Sequence, residues 1–414
     1  MHYKVIALVI LFLVSCYQAA LKALAWRSAR NPIPKNVADV YDPETYARWR
    51  KYHAEKCRLG LAETAVSFLT QFCLLAFDAY AAFAGLFPES GFSRAFAVLL
   101  LFTLSDLFLL PVSYYDTMRI EEKYGFNRTG KKTFWLDQAK QFLISLGFIS
   151  LIGYLLMASH RWLGDWLIPA FAGGMTAILL LFAFLYPFFS RIFNKFTPLE
   201  DGGLKDRLTA LLEKHGYRVR AIQVMDASRR STKSNAYFTG LGKMKTIVLY
   251  DTLVQAMTAE EICAVFAHEM GHGLHKDTLK NQIFTFAQML VLGTLAFFTL
   301  RTPEIFQAFG FEGVNYGFAI VLVMSVEFAL LSPLFGLLVG LYSRRAEYLA
   351  DEQAVLEGYG GALVSALKKL ARENFADLAP DKLLVKLEYS HPPLSERIDA
   401  IERKRWTARF VTGL

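Results

Sequence analysis

At 414 residues, with 54% hydrophobic side chains, 35 Phe and 19 Tyr, the chain is too apolar for an ordinary soluble protein, and its apolar residues come in blocks. A formal charge of +8 raises nucleic acid as a partner, but the basic residues stand mostly in loops beside those blocks, where orientation in a membrane accounts for them; no nucleic acid is expected. The cysteines, Cys16, Cys57, Cys73 and Cys263, show no CxxC spacing, so neither a disulfide framework nor a thiolate metal site is indicated.

The first apolar block opens at Val5. Its run to Val14 resembles a signal h-region, and Leu13-Val14-Ser15-Cys16 resembles a lipoprotein cleavage box. Apolar character continues past Cys16 to Trp26, however, which is long enough to span, so a retained first helix is expected. Further blocks at 64–87, 93–114, 140–158, 166–190, 283–300 and 317–341 bring the predicted crossings to seven. Odd parity puts the termini on opposite sides. The segments after the first, third, fifth and seventh blocks carry the Lys and Arg clusters, such as Arg48, Arg50, Lys51 and Arg119, Lys123, Arg128, whereas the other connections carry little beyond Arg94, Arg161 and Arg301. The positive-inside rule then places the N-terminus outside and the large loops in the cytoplasm. Asp78, Asp106 and Glu327 fall inside predicted spans, where an unpaired charge costs roughly 2.5–3.5 kcal/mol on insertion scales, so each is expected to meet a partner or water.

Residues 1–190 thus form a first membrane region, 191–280 a soluble insertion, 281–341 two more spans and 342–414 a soluble end. The insertion opens with an amphipathic helix near Leu204 to His215, followed by predicted strands at Ala221–Met225, Ser234–Gly240 and Thr246–Tyr250, with a turn at Gly240-Leu241-Gly242-Lys243. An extended peptide can add to the edge of such a sheet by main-chain hydrogen bonds.

A predicted helix then begins after Thr258, an N-cap candidate with Glu261 at the capping-box position and Met257 and Ile262 able to pack across the cap. It carries His268-Glu269-Met270-Gly271-His272, an HExxH motif. Histidines four apart leave one helix face and can share a Zn²⁺ ion, and Glu269 stands beside the open coordination position as a base for the attacking water. A third protein ligand is needed. The metzincin extension would put it at position 278, which is Thr, and that class is excluded. Glu347, heading an i, i+4 acidic pair with Asp351 in Tyr342-Ser343-Arg344-Arg345-Ala346-Glu347-Tyr348-Leu349-Ala350-Asp351, is the better candidate, with Asp351 available to orient a ligand histidine. A further helix near Gly361 to Asn374 and a Pro-interrupted tail through Tyr389-Ser390-His391-Pro392-Pro393 complete the chain.

HEMGH, SRRAEYLAD, SNAYFTG and YSHPPLSER, with VYDPETYAR and RIEEKYGFN in the membrane-side loops, together resemble the CAAX prenyl protease 1 (Ste24-type) zinc proteases of peptidase family M48 over nearly the whole chain. The run Gly273-Leu274-His275-Lys276-Asp277 departs from the pattern usual after the family's HExGH. The resemblance implies a mainly α fold, a seven-transmembrane-helix barrel enclosing an intramembrane chamber, joined to a zincin-like α+β metalloprotease domain on the cytoplasmic side. It implies one Zn²⁺ held by His268, His272 and Glu347, with Glu269 as general base and Asp351 behind a ligand histidine. Asn235 would contact the peptide, and His391 and Arg397 would stabilise the oxyanion or support the ligand carboxylate.

The implied partners are a peptide or protein substrate, possibly with a prenylated C-terminus, and membrane lipids. The implied location is a bacterial inner membrane, or the endoplasmic reticulum in a eukaryote. A broad quality-control protease is the alternative physiological role. A non-proteolytic zinc scaffold is a further one, against which the intact HExxH glutamate argues, because a structural site needs no base.

Overall fold

The computed structural model describes residues 2–233, 235–239 and 244–412, with backbone alone at 165, 182–189, 219, 238–239, 244–245 and 408–412. Among the described residues, six helices have the length and composition to cross a membrane: His2–Ser28, Pro43–Ala76, Gly91–Glu121, Lys131–Leu163, Asp277–Leu300 and Tyr316–Leu356. The fifth predicted block forms a helix at Leu167–Phe193, whose sequence is apolar over most of its length. Where these helices meet, small residues let backbones approach: a Cβ on Gly317 would come within 2.2 Å of the Ala95 carbonyl oxygen, so the helices at Gly91–Ser105 and Tyr316–Leu322 touch main chain to main chain. Phe306, Phe309, Phe318, Leu99 and Tyr80 fill the core around that crossing.

The carboxylates inside the spans sit at irregularities of the helices. Asp78, with φ 55, breaks the second helix and pairs with Lys4 at 2.6 Å. Glu327 closes a π turn, Val323–Glu327, and accepts a hydrogen bond from Thr299 at 2.8 Å. Asp106 opens a 3₁₀ turn at Asp106–Leu109 and is exposed.

The soluble part is built on a four-stranded sheet in the order β1-β2-β4-β3, with β1 Phe196–Pro198, β2 Arg218–Met225, β3 Ala236–Thr239 and β4 Met244–Tyr250. β2 and β4 run parallel, and the outer strands pair antiparallel. Three strands match the sequence expectation, while β1 adds a short edge at a three-residue run containing Pro198, too brief to show alternation. The turn expected at 240–243 lies outside the described residues. The amphipathic helix forms at Gly203–Lys214 and buries Leu208, Leu211 and Leu212 at i, i+3 and i+4. Each such side chain contributes about 1.5–3 kcal/mol of burial. They share one core with Ile222, Ile247 and Leu249 of the sheet and Ile262, Phe266 and Met270 of the helix beyond it.

The predicted boundary between the last span and the soluble end is absent from the backbone. Tyr316–Leu356 runs on for 41 residues, through the π turn and past Pro333, a length of about 60 Å. Hydropathy changes near Tyr342 but the helical hydrogen bonding does not, so Glu347 stands on a helix rooted in the membrane half. Helices at Gly360–Glu373, Lys382–Glu388 and Leu394–Thr412 close the chain.

Candidate metal centre

The helix Ala259–Leu274 carries the first two candidate ligands, and its start is built as the sequence predicts. Thr258 accepts from the Glu261 amide at 3.3 Å while the Glu261 carboxylate accepts from the Thr258 amide at 2.8 Å. Ser365 and Lys369 donate to the same carboxylate at 2.6 and 2.7 Å. Burial alone would raise the Glu261 pKa, but these donors bring it down to about 2. Met257 and Ile262 are buried together in the soluble core. Every residue from Glu261 to His268 is buried, which fixes the helix on all sides.

From this frame His268 and His272 leave one face with ring centroids 4.9 Å apart. The membrane-rooted helix crosses directly behind them. A Cβ on Gly271 would lie 2.8 Å from Ala350 Cα, so a glycine between the histidines permits the crossing. The close approach brings Glu347, itself buried, to the ring nitrogens: its carboxylate oxygens lie 3.5 Å from His268 Nε2 and 3.3 Å from His272 Nε2. One donor atom from each of these three residues fits within a 4.8 Å set.

The other ring nitrogens are engaged. His268 Nδ1 is 2.8 Å from Asp351 and His272 Nδ1 is 3.0 Å from Asp277, whose second oxygen accepts from the Tyr342 hydroxyl. An ionised carboxylate only accepts, so both Nδ1 atoms act as donors, which leaves the Nε2 atoms that face Glu347 as the positions able to bind a metal ion. Arg397, buried behind the acids, lies 2.6 Å from Asp351 and 3.1 Å from Glu347. Burial opposes its charge, but the two carboxylates hold its pKa above the ordinary value.

This donor set fits a divalent metal ion. Glu347 Oε2 is buried and takes no hydrogen bond, although Arg397 Nη1 lies 3.1 Å and His268 Nε2 3.5 Å from it, so it keeps accepting capacity that a metal ion would use. The field at that point favours positive charge. Burial disfavours the His272 imidazolium, but the hydrogen bonds it donates to Glu347 and Asp277, with the Glu347 and Glu269 charges, raise its pKa to about 9.

The remaining predicted residues divide by location. Glu269 is half-buried beside the cluster, and its charge acts on both His272 and Arg397. His391 Nε2 lies 3.2 Å from Glu347, with a side chain 63% exposed and therefore open to an incoming molecule. Arg397, by contrast, faces the two acids, the arrangement of a carboxylate support. Asn235 is exposed at the start of β3, its Oδ1 accepting from the Ala236 amide at 2.8 Å, outside the ligand cluster. Sequence reasoning missed Asp277 and Tyr342. The available signal was an acid within a turn of the second histidine, but it reaches His272 only because Lys276 takes a left-handed φ of 57.

Known proteins resemble this chain over most of its length. Residues 23–195 match the family model described as CAAX prenyl protease N-terminal, five membrane helices, and residues 198–405 match peptidase family M48. A CAAX prenyl protease 1 homolog of Oryza sativa subsp. japonica is 32% identical over 95% of both chains, and CAAX prenyl protease 1 of Saccharomyces cerevisiae is 31% identical over 89% of this chain and 88% of its own. The crystal structure of S. mikatae Ste24p superposes with a TM-score of 0.90 at 27% identity, covering 97% of this chain and 99% of that one. With spans, sheet and His-His-Glu cluster in one molecule, the chain belongs to the CAAX prenyl protease 1 group of peptidase family M48, as a multi-pass membrane metalloendopeptidase.

Proposed function

We propose that this endopeptidase uses one Zn²⁺, held by His268, His272 and Glu347, to hydrolyse peptide bonds near the prenylated C-terminus of CAAX proteins. The observation that carries the reading is the pair of Nε2 atoms facing the two oxygens of the buried Glu347 carboxylate, with both Nδ1 atoms committed to carboxylates. The substrate class follows the names of the relatives. When bound, zinc supplies Lewis-acid polarisation of the water and of the scissile carbonyl. Glu269 takes the proton of the attacking water and passes it to the leaving amine. His391, exposed at the rim, donates to the developing oxyanion. Asp351, Asp277 and Arg397 hold the ligands in register. The outer edge of β3, which follows Asn235 and packs on the HExxH helix, receives the extended peptide backbone.

In this reading Leu167–Phe193 is the seventh crossing of a barrel around a water-filled chamber, with the soluble units at 191–280 and 342–414 on the cytoplasmic side and lipid outside. The long spans support it. The apolar window of Pro43–Ala76 is mostly exposed, in keeping with lipid on one face and water on the other.

The test is cleavage of a fluorogenic farnesylated CAAX peptide beside its unprenylated twin in detergent, with zinc measured per chain and Glu269→Gln as control. The expected result is one zinc per chain, faster cleavage of the farnesylated peptide, and a loss of about 10²–10⁴-fold in the zinc-replete Gln variant. Equal cleavage of both peptides would replace the prenyl reading with a broad quality-control role, and wild-type cleavage by the variant would remove Glu269 as the base.

A further inference from the structure

β3 is four residues long and stands at the edge of the sheet as described, so its own ladder holds it weakly and its placement depends on what anchors its ends. The segment leading into it is held by the membrane half. Asn127 bridges Ser231, the Arg128 amide donates to the Arg230 carbonyl at 3.0 Å, and the Thr232 amide donates to the Phe126 carbonyl at 3.1 Å. This pairing delivers Lys233, two residues before Asn235, into a closed group on the first membrane region. Its ammonium lies 4.9 Å from the Phe126 ring centroid and 5.8 Å from that of Tyr52, 3.3 Å from the Tyr52 hydroxyl and 3.2 Å from Glu121. The Tyr52 hydroxyl donates to Glu121 at 2.7 Å, and Lys56 closes the group between Glu121 and Asp116 at 3.1 and 2.6 Å. On the other side, the Lys233 carbonyl accepts from Thr252 just beyond β4.

An ion pair on an open surface contributes little. Here, however, Tyr52 is buried, Glu121 is mostly covered, and the cation meets two aromatic faces, which together fix the chain at that point. Ala236 stands only three residues along the chain, at most about 10 Å away, too short a tether to absorb a change at Lys233 without moving the edge.

We infer that Lys233 is a positioning residue for substrate binding: seated between Tyr52, Phe126 and Glu121 of the membrane half, it sets the height of the β3 edge against the His268–His272–Glu347 cluster. The inference rests on the reading that β3 receives the peptide. Because the seat belongs to the membrane half and the edge to the protease unit, movement of one transmits to the other through this side chain. The cost of misplacement falls on binding of the peptide and not on the chemistry at Glu269, which stands on a separately buried helix.

The full-length protein tests this with Lys233→Met, Lys233→Arg and Glu121→Gln, measuring zinc per chain, kcat and KM on the farnesylated peptide. Lys233→Met should keep its zinc and raise KM about 5–10-fold with kcat within about twofold, and Lys233→Arg should restore most of the loss. Unchanged KM in Lys233→Met, or loss of zinc together with kcat, would overturn the inference. If Lys233→Met does not fold, Glu121→Gln carries the test, with a smaller rise in KM expected and an unchanged KM counting against it. A parallel series of substrate peptides N-methylated at single backbone amides separates the two readings in the wild type. If no N-methyl group raises KM, edge binding itself fails. If some do while Lys233→Met behaves as wild type, only the role of Lys233 fails.

Discussion

Arg397 donates to Asp351 through two nitrogens, Nε at 2.9 Å and Nη2 at 2.6 Å, in a buried fork that only a guanidinium makes. Its third nitrogen lies 3.1 Å from Glu347, so one side chain ties the acid that orients His268 to the acid that faces both histidines. Arg397→Lys keeps the charge but loses the fork. It should weaken zinc binding by about 10–100-fold in a competition with a chelator. Arg397→Met leaves two buried acids uncompensated and should cost about 3–5 kcal/mol of stability. Wild-type zinc affinity in the Lys variant would show that the fork is not what holds the acids in register.

Asp277 does for His272 what Asp351 does for His268, with Tyr342 donating to its far oxygen. Asp277→Asn should lower zinc affinity by about 10–100-fold, while the zinc-saturated variant keeps kcat within a few-fold, because Glu269 is untouched. The pH dependence follows from His272, which in the metal-free chain keeps its proton up to a pKa of about 9. A bound ion replaces that proton, so apparent zinc affinity should rise with pH and level off above about 9. In Asp277→Asn the levelling-off should move to lower pH. Calorimetric zinc titration in two buffers of different protonation enthalpy would count the protons released, and a count of zero at neutral pH would contradict the assignment.

The parts legible in sequence are those whose physics is local. HEMGH and the Glu347–Asp351 pair are read from helical spacing, and the Thr258–Glu261 box from adjacent side chains, because i, i+3 and i+4 relations fix geometry without tertiary information. Asp277 was hidden, since its approach to His272 needs the left-handed turn at Lys276, and nothing in that residue type announces it. Tyr342 was hidden because its partner lies on another helix. β1 was hidden by brevity and Pro198. The fusion of the last span with the ligand helix was hidden because apolar character ends near Tyr342 although the helix does not, so a change of environment read as a change of element.

Glu261 gives a stability prediction with a definite sign. Its carboxyl is lowered from an ordinary 4.5 to about 2 by Lys369, Ser365 and the Thr258 amide acting against burial. A depressed pKa means stabilisation that is complete above the unfolded value and is lost as pH falls through the folded one. Glu261→Gln should therefore cost about 1–3 kcal/mol at pH 7, with the gap to wild type closing between pH 4.5 and about 2. Denaturant titrations at pH 7 and pH 3 compare the full gap with a partly closed one. An equal gap at the two pH values would mean that the loss is one of packing and not of charge.

Gly271 sits between the two histidines with its α-carbon against the membrane-rooted helix. An added methyl would stand 2.8 Å from Ala350 Cα and 3.1 Å from Gln353 Cβ, and the first of these is backbone that cannot rotate away. Gly271→Ala gains up to about 1 kcal/mol in helix propensity, yet relieving the clash forces the helices apart at a cost of about 1–3 kcal/mol. The same separation draws His268 and His272 away from Glu347, so zinc affinity should fall even though no ligand has changed. Ala350→Gly in the same chain removes the neighbouring Cβ, 3.3 Å from the added methyl, but leaves the Cα in place, so it should restore part of the affinity and not all of it. Zinc competition across the two single variants and the double variant reads this coupling directly. Full wild-type affinity in Gly271→Ala alone would show that the helix crossing is not what sets the distance from the histidines to Glu347.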